Sequence, residues 1–312
     1  MNGNNSLRTI SAMSISMQQP ILGLSPADAA FYQEHGWVTT ESVLDDSLID
    51  EALAGLEQHW AGHRDRTLPG ARKQFGDWMP GDGEGTRNNE YLSLQNKKVS
   101  ALAWSPIVGA IAADAAGSKG IRLFDDQIVY KPGGQKTAVV GWHVDGDYWG
   151  TCSSWNMLTA WIPLHDCPEE MGPLVVLDGS HKWSHKVDRS IMSFHSPDMD
   201  ALKTHVESLG FEYKPVTIKL KRGQFSLHHC RAIHGSYPNR SDRPRIALAV
   251  HMQDEANEYR AATRPDGRPV QLYNDLICAK NNLGVPDYSD PVVFPTLWSS
   301  TAATVPAKGT AC

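Results

Sequence analysis

Two short segments carry residues whose types and spacing can do metal chemistry. His143-Val144-Asp145 closes a β-branched run and precedes a Gly-rich turn. Residues i and i+2 of a strand share a face, so the imidazole and the carboxylate can point at one atom. A lone H-x-D has little specificity; His63-Arg64-Asp65 is a second copy, in a polar stretch with no partner. The second segment, residues 228–236 (HHCRAIHGS), returns histidine on a late strand, with His234 well separated from His143 in sequence. Early and late strands of a jelly roll lie side by side. Two imidazoles and one carboxylate on one face of a metal leave open positions for substrate and O2, the arrangement of non-haem Fe(II) oxygenases. Arg245 follows at the start of the next run. Its planar fork suits the far carboxylate of a dicarboxylate cosubstrate that chelates the metal at its other end.

The elements that must position these groups fall in two parts. Ser25-Pro26-Ala27-Asp28 reads as a capped helix start, with Gly36 as its stop. A second helix is expected from Asp46, burying Leu48, Ala52, Leu53 and Leu56, and a third from Pro106 to Ala116. From Ile121 onward, short runs rich in β-branched and aromatic residues alternate with Gly, Pro and Asp. Strands are expected within 121–131, 137–143, 154–164, 172–178, 213–220, 223–229 and 243–252, with one inserted helix over 198–209. The fold class is mainly β with flanking helices, around a double-stranded β-helix (jelly-roll, cupin-like) core. Residues 1–20 are expected to form a disordered leader, 21–300 a single domain and 301–312 a flexible tail.

At 312 residues, with 41% hydrophobic and 21% charged side chains, the chain is an ordinary globular sequence, so collagen-like, coiled-coil and disordered classes drop out. A net charge of −6 gives no reason to expect nucleic acid or an acidic membrane as partner. No apolar run reaches the ~18 residues needed to span a bilayer. The five cysteines are widely spaced and include no C-x-x-C pair, so neither a disulfide framework nor a cysteine-zinc site is expected, and a cytoplasmic location follows. The thirteen histidines are mostly expected on the surface or in the core: His165, His181 and His185 at the surface or a pocket rim, His228 and His229 in structural roles. Residues 132–137 lack the Gly-Lys pair of a phosphate loop, and no Gly-x-Ser-x-Gly elbow is present.

Several ordered segments together resemble the phytanoyl-CoA dioxygenase (PhyH-like) family of Fe(II)/2-oxoglutarate oxygenases. They are Trp142-His143-Val144-Asp145, residues 158–164 (LTAWIPL), Met171-Gly172-Pro173-Leu174 with Gly179-Ser180-His181, and His234-Gly235-Ser236 through Arg243-Pro244-Arg245 to His251. The resemblance implies His143, Asp145 and His234 as iron ligands and Arg245 as the salt-bridge partner of 2-oxoglutarate. It also implies Gln127, Trp161 and Ser236 as cosubstrate-pocket residues. Val144 stands where family members often have Gln, which bears on a pocket contact and not on the ligands. The implied reaction uses Fe(II), 2-oxoglutarate and O2, releases succinate and CO2, and takes hydrogen from an unactivated C–H of a small organic substrate. Hydroxylation, desaturation and ring closure all start there. Family substrates include acyl-CoA esters, amino acids and secondary metabolites; the chain ends Thr310-Ala311-Cys312 and not in a peroxisomal signal, which gives no support to a peroxisomal acyl-CoA role, and a specialised metabolite is the expected substrate. A halogenase is disfavoured, because Asp145 fills the position chloride would need. The alternatives are a cupin-like zinc or manganese enzyme, which leaves Arg245 without its role, and a non-catalytic jelly-roll binding protein. A monomer or homodimer is expected.

Substrate discrimination is expected from residues 75–95 and 181–200, too long and too rich in Gly, His and Ser for simple turns, acting as lids over the mouth. They carry Phe75, Trp78, Met79 and Tyr91 in the first, and Trp183, Met192 and Phe194 in the second. Trp149 and Trp155, close to Asp145, are further expected substrate walls.

Overall fold

The computed structural model describes residues 23–68, 77–134, 139–196 and 198–301. Residues 1–20, Phe75 and all but Thr301 of the expected tail lie outside these. Helix α1 (Pro26–His35) begins where Ser25 Oγ accepts the Asp28 N–H and ends at Gly36, in the left-handed region at φ +78°. After β1 (Trp37–Thr39), α2 (Asp46–Trp60) buries Ile49, Ala52, Gly55, Leu56, His59 and Trp60. The buried face is thus turned from the expected one: Ile49 is fully enclosed, while Leu48 and Leu53 are only partly covered.

Two helices follow β2 (Arg87–Glu90). Helix α3 (Lys97–Ala103), not anticipated, is capped by Asn96, whose Oδ1 accepts the Lys98 and Val99 N–H groups. Helix α4 (Pro106–Ala116) is covered on nearly every side. Together Lys97–Ala116 is apolar enough to pass for a membrane span, but Ser105–Pro106 divides it and most of it is buried inside the protein.

The remaining strands are β3 (Gly120–Lys131), β4 (Val140–His143), β5 (Leu158–Pro163), β6 (Leu174–Leu177), β7 (Pro215–Thr217), β8 (Ser226–His229), β9 (His234–Ser236), β10 (Arg245–Asp254) and β11 (Thr296–Ser299). Helix α5 (Ala201–Ser208) is the expected insertion, and α6 (Tyr273–Ile277) lies late in the chain. They form a seven-stranded sheet, β1-β8-β5-β10-β3-β11 with β2 also on β3, and a four-stranded sheet, β4-β9-β6-β7. All pairings are antiparallel. The main core lies between the large sheet and the N-terminal helices; a second lies under the small sheet, where α5 packs.

The register of the large sheet aligns polar side chains in rows. His228, Thr159, His251 and Asp125 are successive partners across β8, β5, β10 and β3. One row along, Trp161, Ala249, Gln127 and Glu90 are partners across β5, β10, β3 and β2. Because side chains alternate by two, members of a row and of the next such row share a face. That face looks into the barrel.

His59 is fully buried, and neither ring nitrogen has a hydrogen-bond partner. Burial, with Arg64 nearby, pushes its pKa down to about 3. The unfolded chain therefore binds a proton here that the folded chain refuses between about pH 6.5 and 3. Stability from this group falls as pH drops below 6.5. His59→Leu is expected to be more stable than the parent at pH 5, its advantage growing by about 1.4 kcal/mol per pH unit below 6.5. Denaturant unfolding of both proteins at pH 7 and 5 checks this; an advantage that does not change with pH would count against it.

Candidate metal and cosubstrate site

The two sheets bring the expected ligands together. His143 and His234 are direct partners across β4 and β9, their ring centroids 4.1 Å apart. Asp145 opens the short turn after β4, with Oδ1 3.6 Å from His143 Nε2 and 3.3 Å from His234 Nε2. All three are buried, and their donor atoms lie within 4.8 Å of one another. Two glycines permit this approach. A Cβ on Gly235 would stand 2.8 Å from Val140 O, prying β9 from β4, and one on Gly141 would stand 2.1 Å from Ser193 O. Gly141 N–H donates to Phe194 O, which seats the Phe194 ring 5.0 Å from the His143 ring.

The hydrogen bonds fix the tautomers. His143 Nδ1 is 2.8 Å from Gly141 O, and His234 Nδ1 is 3.0 Å from Ala232 O. A carbonyl only accepts, so each Nδ1 carries the proton and each Nε2 lone pair is left for a metal. Burial, with His234 beside it, pushes the His143 pKa down to about 3, so that imidazole is neutral. Burial alone would raise Asp145, but facing His234 and the His228 contact hold it well below the usual carboxylate range.

The row on the large sheet holds the carboxylate in place. Thr159 Oγ1 donates to Asp145 Oδ2 at 2.6 Å, and His228 Nε2 lies 3.1 Å from the same oxygen. Having given its one proton to Asp145, the Thr159 hydroxyl accepts from His251 Nδ1 at 2.8 Å. His251 Nε2 faces Asp125 Oδ1 at 3.6 Å.

A second group of residues suits the dicarboxylate. A small cavity of about 50 Å3 is bounded by the three candidate ligands together with Gln127, Trp161, Ser236 and Arg245. Arg245 is 2% exposed, its Nε is buried with no hydrogen-bond partner, and its guanidinium carbon lies 5.7 Å from the Trp161 ring centre. Burial pushes its pKa down to about 10, so it stays charged. Lys131 was not anticipated. It pairs with Arg245 across β3 and β10, is fully buried, and donates from Nζ to Ser236 Oγ at 2.6 Å and to the carbonyls of Ser236 and Tyr237. Burial and then Arg245 push the Lys131 pKa down to about 6. A buried arginine with an orphaned donor, beside a second basic group, costs several kcal/mol unless an anion joins it. A carboxylate of 2-oxoglutarate fits that need, and two imidazoles with one carboxylate fit iron.

A larger cavity of about 430 Å3 adjoins His143 and Asp145. Trp149 lines it. Trp78 does not: it packs on Trp60 and on Arg87, whose guanidinium sits 4.1 Å over its ring. Trp155 lies outside as well, 43% exposed with Arg231 over its ring. Residues 75–95 are not one long loop, because residues 87–90 pair with β3 and deliver Asn88, Glu90 and Tyr91 to the cavity. In the second expected lid, three short 3-10 turns run over residues 180–191. Phe194 and His195 reach the cavity, whereas Trp183 stacks on Phe211 and Met192 packs on the core under the small sheet. His165 accepts the Ile246 N–H beside Arg245, and His181 packs over Gly36, away from the site.

Comparison with known proteins accords with this geometry. The chain is 24% identical over 247 residues to 1-deoxypentalenic acid 11-beta-hydroxylase of Streptomyces exfoliatus, covering 75% of this chain and 83% of the relative. Among solved structures, the epimerase SnoN of nogalamycin biosynthesis, in complex with Fe3+, alpha ketoglutarate and nogalamycin RO, is 26% identical. It superimposes with a TM-score of 0.62 over 87% of this chain and 97% of its own. The alpha-ketoglutarate-dependent carbocyclase SnoK, at 24% identity and a TM-score of 0.58 over 80% and 94% of the two chains, shares the fold. The sequence profile of the phytanoyl-CoA dioxygenase (PhyH) family matches residues 32–247. The chain belongs to that family and is an iron- and 2-oxoglutarate-dependent oxygenase.

Proposed function

We propose that His143, Asp145 and His234 hold the iron, that Arg245, Ser236, Gln127 and Trp161 hold 2-oxoglutarate, and that the larger cavity receives a small specialised metabolite. The observation that carries this reading is the convergence of three buried donor atoms with the orphaned Arg245 Nε on one small cavity. Iron with 2-oxoglutarate and O2 supplies an oxidant strong enough to take hydrogen from an unactivated C–H, the cosubstrate leaving as succinate and CO2.

The chain's own residues do the rest. The carbonyls of Gly141 and Ala232 hold the proton of each neutral ring on Nδ1, so that Nε2 is the atom offered to the metal. Thr159 and His228 hold the Asp145 carboxylate in one orientation. Arg245 anchors the far carboxylate, and Lys131 fixes the Ser236 hydroxyl beside it. Trp161 and the barrel walls keep bulk water out. A specialised metabolite as substrate is supported by the biosynthetic relatives, whose outcomes are hydroxylation, epimerisation and ring closure.

The purified protein supplied with Fe(II), 2-oxoglutarate and O2 is expected to release succinate slowly without substrate. Succinate quantified against an iron-free control tests this; equal amounts with and without iron would reject the reading.

A further inference from the structure

The larger cavity contains two carboxylates that the iron and cosubstrate assignments leave unused. Glu90, the last residue of β2, and Asp125, on β3, both line it, close to His143 and Asp145. Among the described residues, neither has a Lys or Arg within ion-pairing distance. Glu90 accepts a 3.4 Å hydrogen bond from Gln127, and Asp125 faces His251 at 3.6 Å. Burial, then neighbouring Asp77, pushes the Glu90 carboxyl up to about 7; burial, then Glu90, raises Asp125 well above the usual carboxylate range. Enclosed with no lysine or arginine beside them, these two groups would gain from a cation bound in the cavity.

A second, independent feature of the cavity indicates what kind of charge is missing. Six aromatic residues, Tyr91, Phe124, Tyr148, Trp149, Phe194 and Tyr273, line it beside the amides of Asn88, Gln127, Gln271 and Asn274. An organic ammonium is attracted both by carboxylates and by the faces of aromatic rings, and gains most from each where water is excluded. A phosphate- or carboxylate-bearing substrate would find no lysine or arginine among the lining residues to pair with. The volume of about 430 Å3 is that of a site for a small organic molecule.

We propose that the substrate carries a protonated amine, bound between Glu90, Asp125 and the aromatic walls, and that this contact sets which of its C–H bonds faces the metal. The inference rests on the reading of His143, Asp145 and His234 as the iron site, since that reading makes this cavity the substrate cavity.

The test uses two probes of nearly the same shape, 2-phenylethylamine and 2-phenylethanol. Each is titrated anaerobically into the Fe(II)- and 2-oxoglutarate-loaded enzyme, and its paramagnetic relaxation is followed by NMR, which reports binding near the iron. The amine is expected to bind about tenfold or more tighter than the alcohol. The Glu90→Gln/Asp125→Asn double variant is expected to bind both alike. If the double variant does not fold, judged by circular dichroism, the two single variants are each expected to lose part of the preference. Equal binding of the two probes to the parent, no binding of the amine, or a preference that survives the substitutions overturns the proposal. Failure of the iron reading is distinguishable: it shows before any probe is added, as absence of the visible absorption that 2-oxoglutarate gives on binding Fe(II).

Discussion

Replacing His143 and His234 together by alanine is expected to abolish stoichiometric Fe(II) binding and to bring succinate release to the iron-free background. Each imidazole contributes one Nε2 whose lone pair is preset by a backbone carbonyl, and with both removed Asp145 is the one member of the set that remains. Loss of groups that merely orient metal ligands typically costs about 10–100-fold in affinity, and loss of two ligands costs far more. The double substitution is more informative than either single one. His228 Nε2 already lies 3.1 Å from Asp145 and is the nearest imidazole able to stand in for a missing ligand. Inductively coupled plasma analysis of protein reconstituted with Fe(II) gives the stoichiometry. Retention of one iron per chain in the double variant would move the metal site elsewhere.

Arg245→Ala is expected to act mainly on the cosubstrate, raising the 2-oxoglutarate KM while leaving iron binding in place. Removing the partner of a buried carboxylate costs about 2–5 kcal/mol, or roughly 30- to several-thousand-fold. Arg245→Lys is expected to recover only part of this, because a point charge does not reproduce the planar fork. Lys131 sharpens the expectation. It sits directly across from Arg245, but its three contacts all go to Ser236 and Tyr237, so it cannot swing over without giving up the Ser236 hydroxyl. Steady-state kinetics with varied 2-oxoglutarate measures the effect. An unchanged KM in Arg245→Ala would reassign the role to Arg243 or Arg240.

Much of the site was legible because strand periodicity and chemical type agree there. His143 and Asp145 stand at a strand end before a turn, and Arg245 starts a strand. The same period extends along both strands. Arg245, Ala247, Ala249 and His251 alternate along β10, and Asp125, Gln127, Val129 and Lys131 along β3. Once Arg245 and Gln127 face the barrel, His251, Asp125 and Lys131 must face it too. A lysine at a strand end more often lies at a solvated edge, so its type argues against the face its period assigns.

Other features had no local signal. Residues 87–90 (RNNE) have no β-branched or alternating character and form a strand only because β3 offers a free edge. Helix α3 is one short run between loops, with Asn96 as its sole clear mark. Nearness in sequence misled for Trp155: Gly146 and Cys230 hold that segment beside the Asp145 turn, but the ring turns outward beneath Arg231. Trp78 found a closer partner in Arg87, which three aromatic rings surround.

The most direct measurement of the central claim is an anaerobic titration of the iron-loaded protein with 2-oxoglutarate, followed by visible absorption. The account predicts a new band that saturates at one 2-oxoglutarate and one Fe(II) per chain, and that needs both components. A protein that binds Fe(II) yet develops no band at saturating 2-oxoglutarate would contradict it.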